Sequence, residues 1–210
     1  MYRKIVPLAL LSALAGCSGN EQPNKATFQA AAQAYLDTQY PHCFVISAFP
    51  TQTKDFDIHG TNQALHALAK VGVVSEQEIS RTEVPARLWQ PARTDIYYAY
   101  DLTEEGRKYY KANVGRQRDG KAVGGLCFGK AQVTDVKRFS EPTRSNGKQT
   151  SQVTYAYKVI GLPQWAKQQS VRNGIADLDK AVASAERPLQ ATDAMVLTDA
   201  GWKHERLVTP

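Results

Sequence analysis

The sequence predicts an α+β protein: a helical N-terminal half, then an antiparallel β-rich half that carries one helix. Three observations lead there. Before Lys70 the apolar residues recur at helical spacing in Ala- and Leu-rich runs. In the second half they alternate with polar ones, as Val153, Tyr155, Tyr157 and Val159 do against Thr154, Ala156 and Lys158. Between the two lies Asn113 to Gly125 (NVGRQRDGKAVGG), whose glycines and charges read as a linker or loop. The chain of 210 residues, 42% hydrophobic and 22% charged, has globular proportions and room for one domain or two small ones. The division expected is 26–113 for the helical domain and 114–210 for the β-sheet domain.

Ala26 to Gln39 is Ala-rich and reads as a helix, with Phe28, Ala32, Tyr35 and Leu36 on one stripe. Tyr40-Pro41 stops it. Cys43 to Phe49 (CFVISAF) is β-branched and aromatic, a strand ended by Pro50. Thr61 to Lys70 is a second helix, with Leu65, Leu68 and Ala69 inward and Gly72 placed to end it. Glu76 to Leu88 reads as a further short helix, broken at Pro85. Ile96 to Tyr100 is a strand, and Thr103 caps a helix from Glu104 to Tyr110. Its two leading glutamates suit the positive end of the helix dipole.

Leu126 to Phe139 and Gln152 to Ile160 read as strands around the turn former Asn146-Gly147. Val171, Ile175, Leu178 and Val182 follow helical spacing, weakened by Gly174. Leu189 to Leu197 and Trp202 to Val208 close the chain as two strands.

The first residues are MYRKIVPLALLSALAG. Arg3 and Lys4 precede an apolar run from Ile5 to Ala15, too short for a spanning helix, which needs about 20 residues. Leu14-Ala15-Gly16-Cys17 resembles the lipobox of bacterial lipoproteins at every position. The resemblance implies cleavage before Cys17 and a covalent lipid on its thiol. The signal peptide is then 1–16, with 17–25 as a flexible polar tether. Ser18, where an Asp would mark inner-membrane retention in that family, implies the outer membrane and its periplasmic face. A lipid on Cys17 would anchor the chain to a membrane.

The middle segment resembles a winged helix. The pieces that carry this are ALHALAKVGVV and YYAYDLTEEGRKYY, in which Leu102, Thr103, Glu104, Gly106 and Arg107 match a helix common after the wing. DNA binding does not follow. Ser75 to Asp95, where a recognition helix would lie, sets Arg81, Arg87 and Arg93 against Glu76, Glu78, Glu83 and Asp95. Phosphate contact needs a basic stripe, and this stretch is slightly acidic. The formal charge of +6, two lower after loss of Arg3 and Lys4, is too mild to imply nucleic acid.

Cys43 and Cys127 remain once Cys17 is lipidated. In an oxidising compartment an even pair reads as a disulfide, with two buried thiols as the alternative. Lys137, Arg138, Arg144 and Lys148 crowd one hairpin, as a solvated end or as a surface for an anionic partner. Tyr97, Tyr98, Tyr100, Tyr109 and Tyr110 form an aromatic cluster, for core packing or for a partner. His42, His59, His66 and His204 stand in no metal-ligand spacing, and His66 sits among apolar helix residues as a partly buried side chain. Asp55 with Asp57, and Asp177 with Asp179, lack the rest of a calcium loop. No catalytic motif and no cofactor motif stands out, so the expected function is a non-enzymatic protein-binding or structural module of the envelope. The alternative is a cell-wall hydrolase whose site is assembled from scattered residues.

Overall fold

The computed structural model describes residues 22–46, 48–55, 60–116, 120–145 and 147–208. The lipobox with Cys17, the signal peptide, most of the tether, Asp57, His59 and Asn146 lie outside them. The architecture is α+β, with three antiparallel sheets among the described residues.

Helix α1 (Lys25–Gln39) starts at Asn24, whose side chain accepts from the Thr27 amide in a capping box. Its apolar stripe of Phe28, Ala32 and Leu36 is buried on a sheet made by β7 (Lys130–Phe139), β9 (Lys148–Ile160), β10 (Leu189–Thr198) and β11 (Gly201–His204), with short β8 (Thr143–Ser145) paired to β9. The helix also dresses the edge strand. Gln33 donates to the Ala131 carbonyl at 2.9 Å and accepts from the Val133 amide at 2.8 Å, occupying backbone groups that an edge would leave open.

The second core gathers helix α2 (Thr61–Lys70), the short helices α4 (Gln169–Gly174) and α5 (Leu178–Ala183), and Trp165. Strand β1 (His42–Ile46) joins it through β6 (Ala122–Phe128), which also pairs β5 (Tyr110–Arg116). Cys43 faces Cys127 in this β1–β6 register, and the two are bonded as a disulfide with Cα atoms 4.0 Å apart. Ile46, Leu126 and Phe128 beside it share one core with α2 and Trp165.

Several sequence expectations are corrected. Residues 76–88 hold no helix. They belong to β3 (Val74–Val84), which pairs β4 (Arg93–Leu102), itself paired with β2 (Thr51–Lys54). The winged-helix resemblance therefore lacks its recognition helix, although α3 (Glu104–Tyr109) is capped by Thr103 as anticipated. The reason is exposure: β3 is solvated on both faces from Ser75 to Glu83, so it carries no apolar alternation, and its hydrogen bonds come from β4. The presumed linker is the β5–β6 hairpin, whose strand runs through residue 113. Gly129, at φ +74°, divides the expected strand Leu126 to Phe139 between β6 and β7. The single helix expected over Val171 to Val182 is two. Gly174 lies so close to α2 that a Cβ there would stand 3.0 Å from Ala64 Cα, and Asp177 takes a left-handed φ of 61° before α5 begins.

Candidate functional site

The β3–β4 pair is an arm. Its 11-residue strand is roughly 35 Å long at the usual rise. At its end Arg87 and Gln90 exchange two backbone hydrogen bonds of 2.9 Å, closing a turn whose central residues are Leu88 and Trp89. Tight turns ordinarily use Gly, Asn or Asp there. Here the two positions are apolar, and they are 89% and 91% exposed. Pro85 and Pro91 bracket the turn, and Arg87 is the only charge from Pro85 to Ala92.

Ion pairs run along the shaft. Arg81 bonds Glu78 at 2.8 Å, while Lys54 and Arg93 bond Asp95 at 2.8 and 3.0 Å. The hydrogen bond from Lys54, then that from Arg93, holds the Asp95 carboxyl below its usual range. Arg81 does the same to Glu78.

A polar knot fixes the arm's root to α2. Nδ1 of His66 meets the Glu76 carboxylate of β3, and its Nε2 lies 3.4 Å from Asp55 just after β2. The Tyr100 hydroxyl of β4 donates to Asn62 Oδ1 at 2.9 Å and lies 3.2 Å from His66 Nδ1. Thr53 bonds the same Asn62 oxygen, and Asn62 donates to the Asp55 carbonyl at 2.8 Å. Three strands are thus tied to one helix face. Burial holds the Tyr100 phenol well above its ordinary pKa, so it stays a donor. The knot opens on a depression of about 570 Å³ that also touches Ser170 and Asn173. His66, half-buried at 26% exposure, faces two carboxylates and a phenol.

Of the residues singled out from the sequence, Cys43 meets Cys127 and His66 meets Asp55, Tyr98 and Tyr100, whereas the basic residues lie on a different sheet from these tyrosines. Tyr97 and Tyr98 lie on β4: Tyr98 packs its edge on His66 at 4.7 Å, and Tyr97 is 41% exposed below Lys54. Tyr109 packs on Trp165 and Tyr110 on Phe49. Lys137 and Arg138 (β7), Arg144 (β8) and Lys148 (β9) belong to the five-stranded sheet. Lys137 pairs Asp135 at 3.1 Å, and Arg144 and Lys148 flank a depression with Asp199. Sequence reasoning missed Leu88 and Trp89. The signal was present in PARLWQPAR: an apolar pair between two prolines, with no helix of useful length around it. Among the described residues no His, Cys, Asp and Glu group could hold a metal ion. No protein-family model, no curated protein and no solved structure matches this chain, so the arm and its root rest on their own geometry.

Proposed function

We propose that this protein is a non-enzymatic binding module of the bacterial envelope, anchored through lipid on Cys17 at the periplasmic face of the outer membrane. Its arm offers Leu88, Trp89 and Arg87 to a protein partner. The observation that carries this is the turn itself. Two large apolar side chains stand almost wholly in water where turn chemistry favours Gly or Asn. Trp and Arg are also the side chains that most often anchor interfaces, and a convex knob fits a pocket on a partner. The self-paired shaft and the knot at its root hold the knob at a defined distance and angle, which lowers the ordering cost of docking.

A photo-crosslinking amino acid at the exposed position 86, beside the turn, irradiated in intact cells, should give one discrete protein adduct. Adding Trp89→Ala should remove it, because losing such an anchor costs about 2 kcal/mol or more of binding, near thirtyfold. No adduct at position 86, or one indifferent to Trp89, would reject the docking knob.

A second reading, an envelope hydrolase, draws on His66 between Asp55 and Glu76, an arrangement suited to proton transfer. It requires that the protein release fragments from purified cell-wall sacculi and that His66→Ala stop this while Trp89→Ala does not.

A further inference from the structure

The five-stranded sheet is covered on one face by α1 and α5, which leave a gap. α1 ends there with Gln39 and Tyr40, and α5 is tied down by Ser184, which accepts from the Val159 amide of β9 at 2.8 Å. Two adjoining depressions, of about 360 and 310 Å³, share Tyr40, His42 and Tyr157. Each is of the size of a small-molecule site, about 300–1,000 Å³. Together they form a groove whose floor is Tyr157, its cross-strand neighbour Leu189, and Ala191. The far rim is His42 and Phe128, opposite each other in the β1–β6 register, one step from the Cys43–Cys127 bond. The groove thus lies where the two cores meet, a usual place for ligands.

Its chemistry is aromatic and hydrogen-bonding, with two carboxylates, Asp193 and Asp177, that each already have a partner. Asp193 accepts from the Tyr155 hydroxyl at 2.8 Å and faces Nε2 of buried His204 at 3.5 Å. His204 Nδ1 accepts from the Arg206 amide at 3.1 Å, so in the neutral ring the proton sits on Nε2, a buried nitrogen with no hydrogen-bond partner among the described residues. At the other end Asp177 is paired with Lys180 at 2.7 Å. An anion would meet two carboxylates; a cation would find Asp177 already neutralised by Lys180 and Asp193 already accepting from Tyr155. An apolar ligand would cover the Tyr40 and Tyr157 hydroxyls and the Asp193 carboxylate without bonding them. Burial raises the phenols of Tyr40 and Tyr157, so both are hydroxyl donors at neutral pH. What remains is a neutral ring compound rich in hydroxyls, with apolar ring faces and polar edges.

We propose that this groove binds a saccharide chain, with sugar rings lying on Tyr40 and Tyr157 and hydroxyls bonded by Gln39 and Asp193. The site is separate from the arm and does not depend on its role.

The test is calorimetric titration of the purified full chain, in a sugar-free detergent, with N-acetylglucosamine tetramer and separately with maltotetraose. At least one should bind saturably. Tyr157→Ala should weaken it tenfold or more, and Gln39→Ala, an exposed rim change that leaves the core alone, gives a second measure. Trp89→Ala should bind as the parent does. Weakening in either folded groove variant supports the site. It is overturned if neither tetramer binds saturably, if every folded groove variant binds like the parent, or if Trp89→Ala abolishes binding, which would put the sugar on the arm.

Discussion

Replacing Cys43 and Cys127 together by alanine should lower stability through the unfolded chain. The bond spans 84 residues. In the chain-entropy account, a loop of 84 residues restricts the unfolded ensemble by about 4.6 kcal/mol at 25 °C. For a protein of this size that corresponds to a melting point lower by roughly 9–18 °C. The folded state should change little, because the β1–β6 register runs from His42 to Ile46 and does not need the sulfurs to define it. Circular dichroism during urea unfolding, for the parent, the reduced parent and the double variant, measures the effect. The last two should agree, and both should show a larger denaturant slope as the unfolded chain expands. A loss below about 1 kcal/mol, or an unchanged slope, would refute the entropic account and the claim that this bond joins distant parts of the chain.

Cys17→Ser should leave an uncut precursor without lipid; mature protein in the outer-membrane fraction of that variant would remove the anchoring proposal. Gly106→Ala should destabilise by about 1–3 kcal/mol in thermal melts, since a Cβ there would overlap the Val73 carbonyl oxygen, whereas helix propensity alone would predict a gain of about 1 kcal/mol. Leu88→Ala with Trp89→Ala should leave stability within about 0.5 kcal/mol, because both side chains already lie in water; a larger change would mean that the turn is structural. Burial, then Tyr157, pushes the Tyr40 phenol up to about 12 from its usual 10.0. A raised pKa favours the neutral form in the folded state, so this contribution is whole below pH 10.0 and is lost as pH rises through about 12. Ultraviolet titration of the parent against Tyr40→Phe should show one tyrosinate fewer forming at that high midpoint.

Wherever burial is one-sided, the order of residues was legible. The stripe of α1, the alternation of β9 and the Thr103 cap each carry their partner's position in their own spacing, 3.6 or 2 residues per repeat. The Cys43–Cys127 pair was legible for another reason: with Cys17 assigned to lipid, two sulfurs remained to meet. A strand wet on both faces has no such code. β3 reads like a polar helix because its apolar content is low, and only the ladder to β4 makes it extended.

The candidate sites were less legible still. Tyr40, Tyr157 and Asp193 are far apart in the chain, and each alone reads as an ordinary core or rim residue; the gap between α1 and α5 makes them neighbours. His66 met Asp55, Glu76 and Tyr100 through the packing of α2 on three strands, none of which the helix's own sequence encodes. By itself, the sequence determined the elements whose hydrophobic period matches their geometry and the cap; it narrowed the cysteines to a disulfide or two buried thiols, and the structure decided for the bond. Tertiary structure alone decided the arm, the knot and the groove, because long-range hydrogen bonds and the spaces left between packed helices are set by contacts that no local window of residues contains.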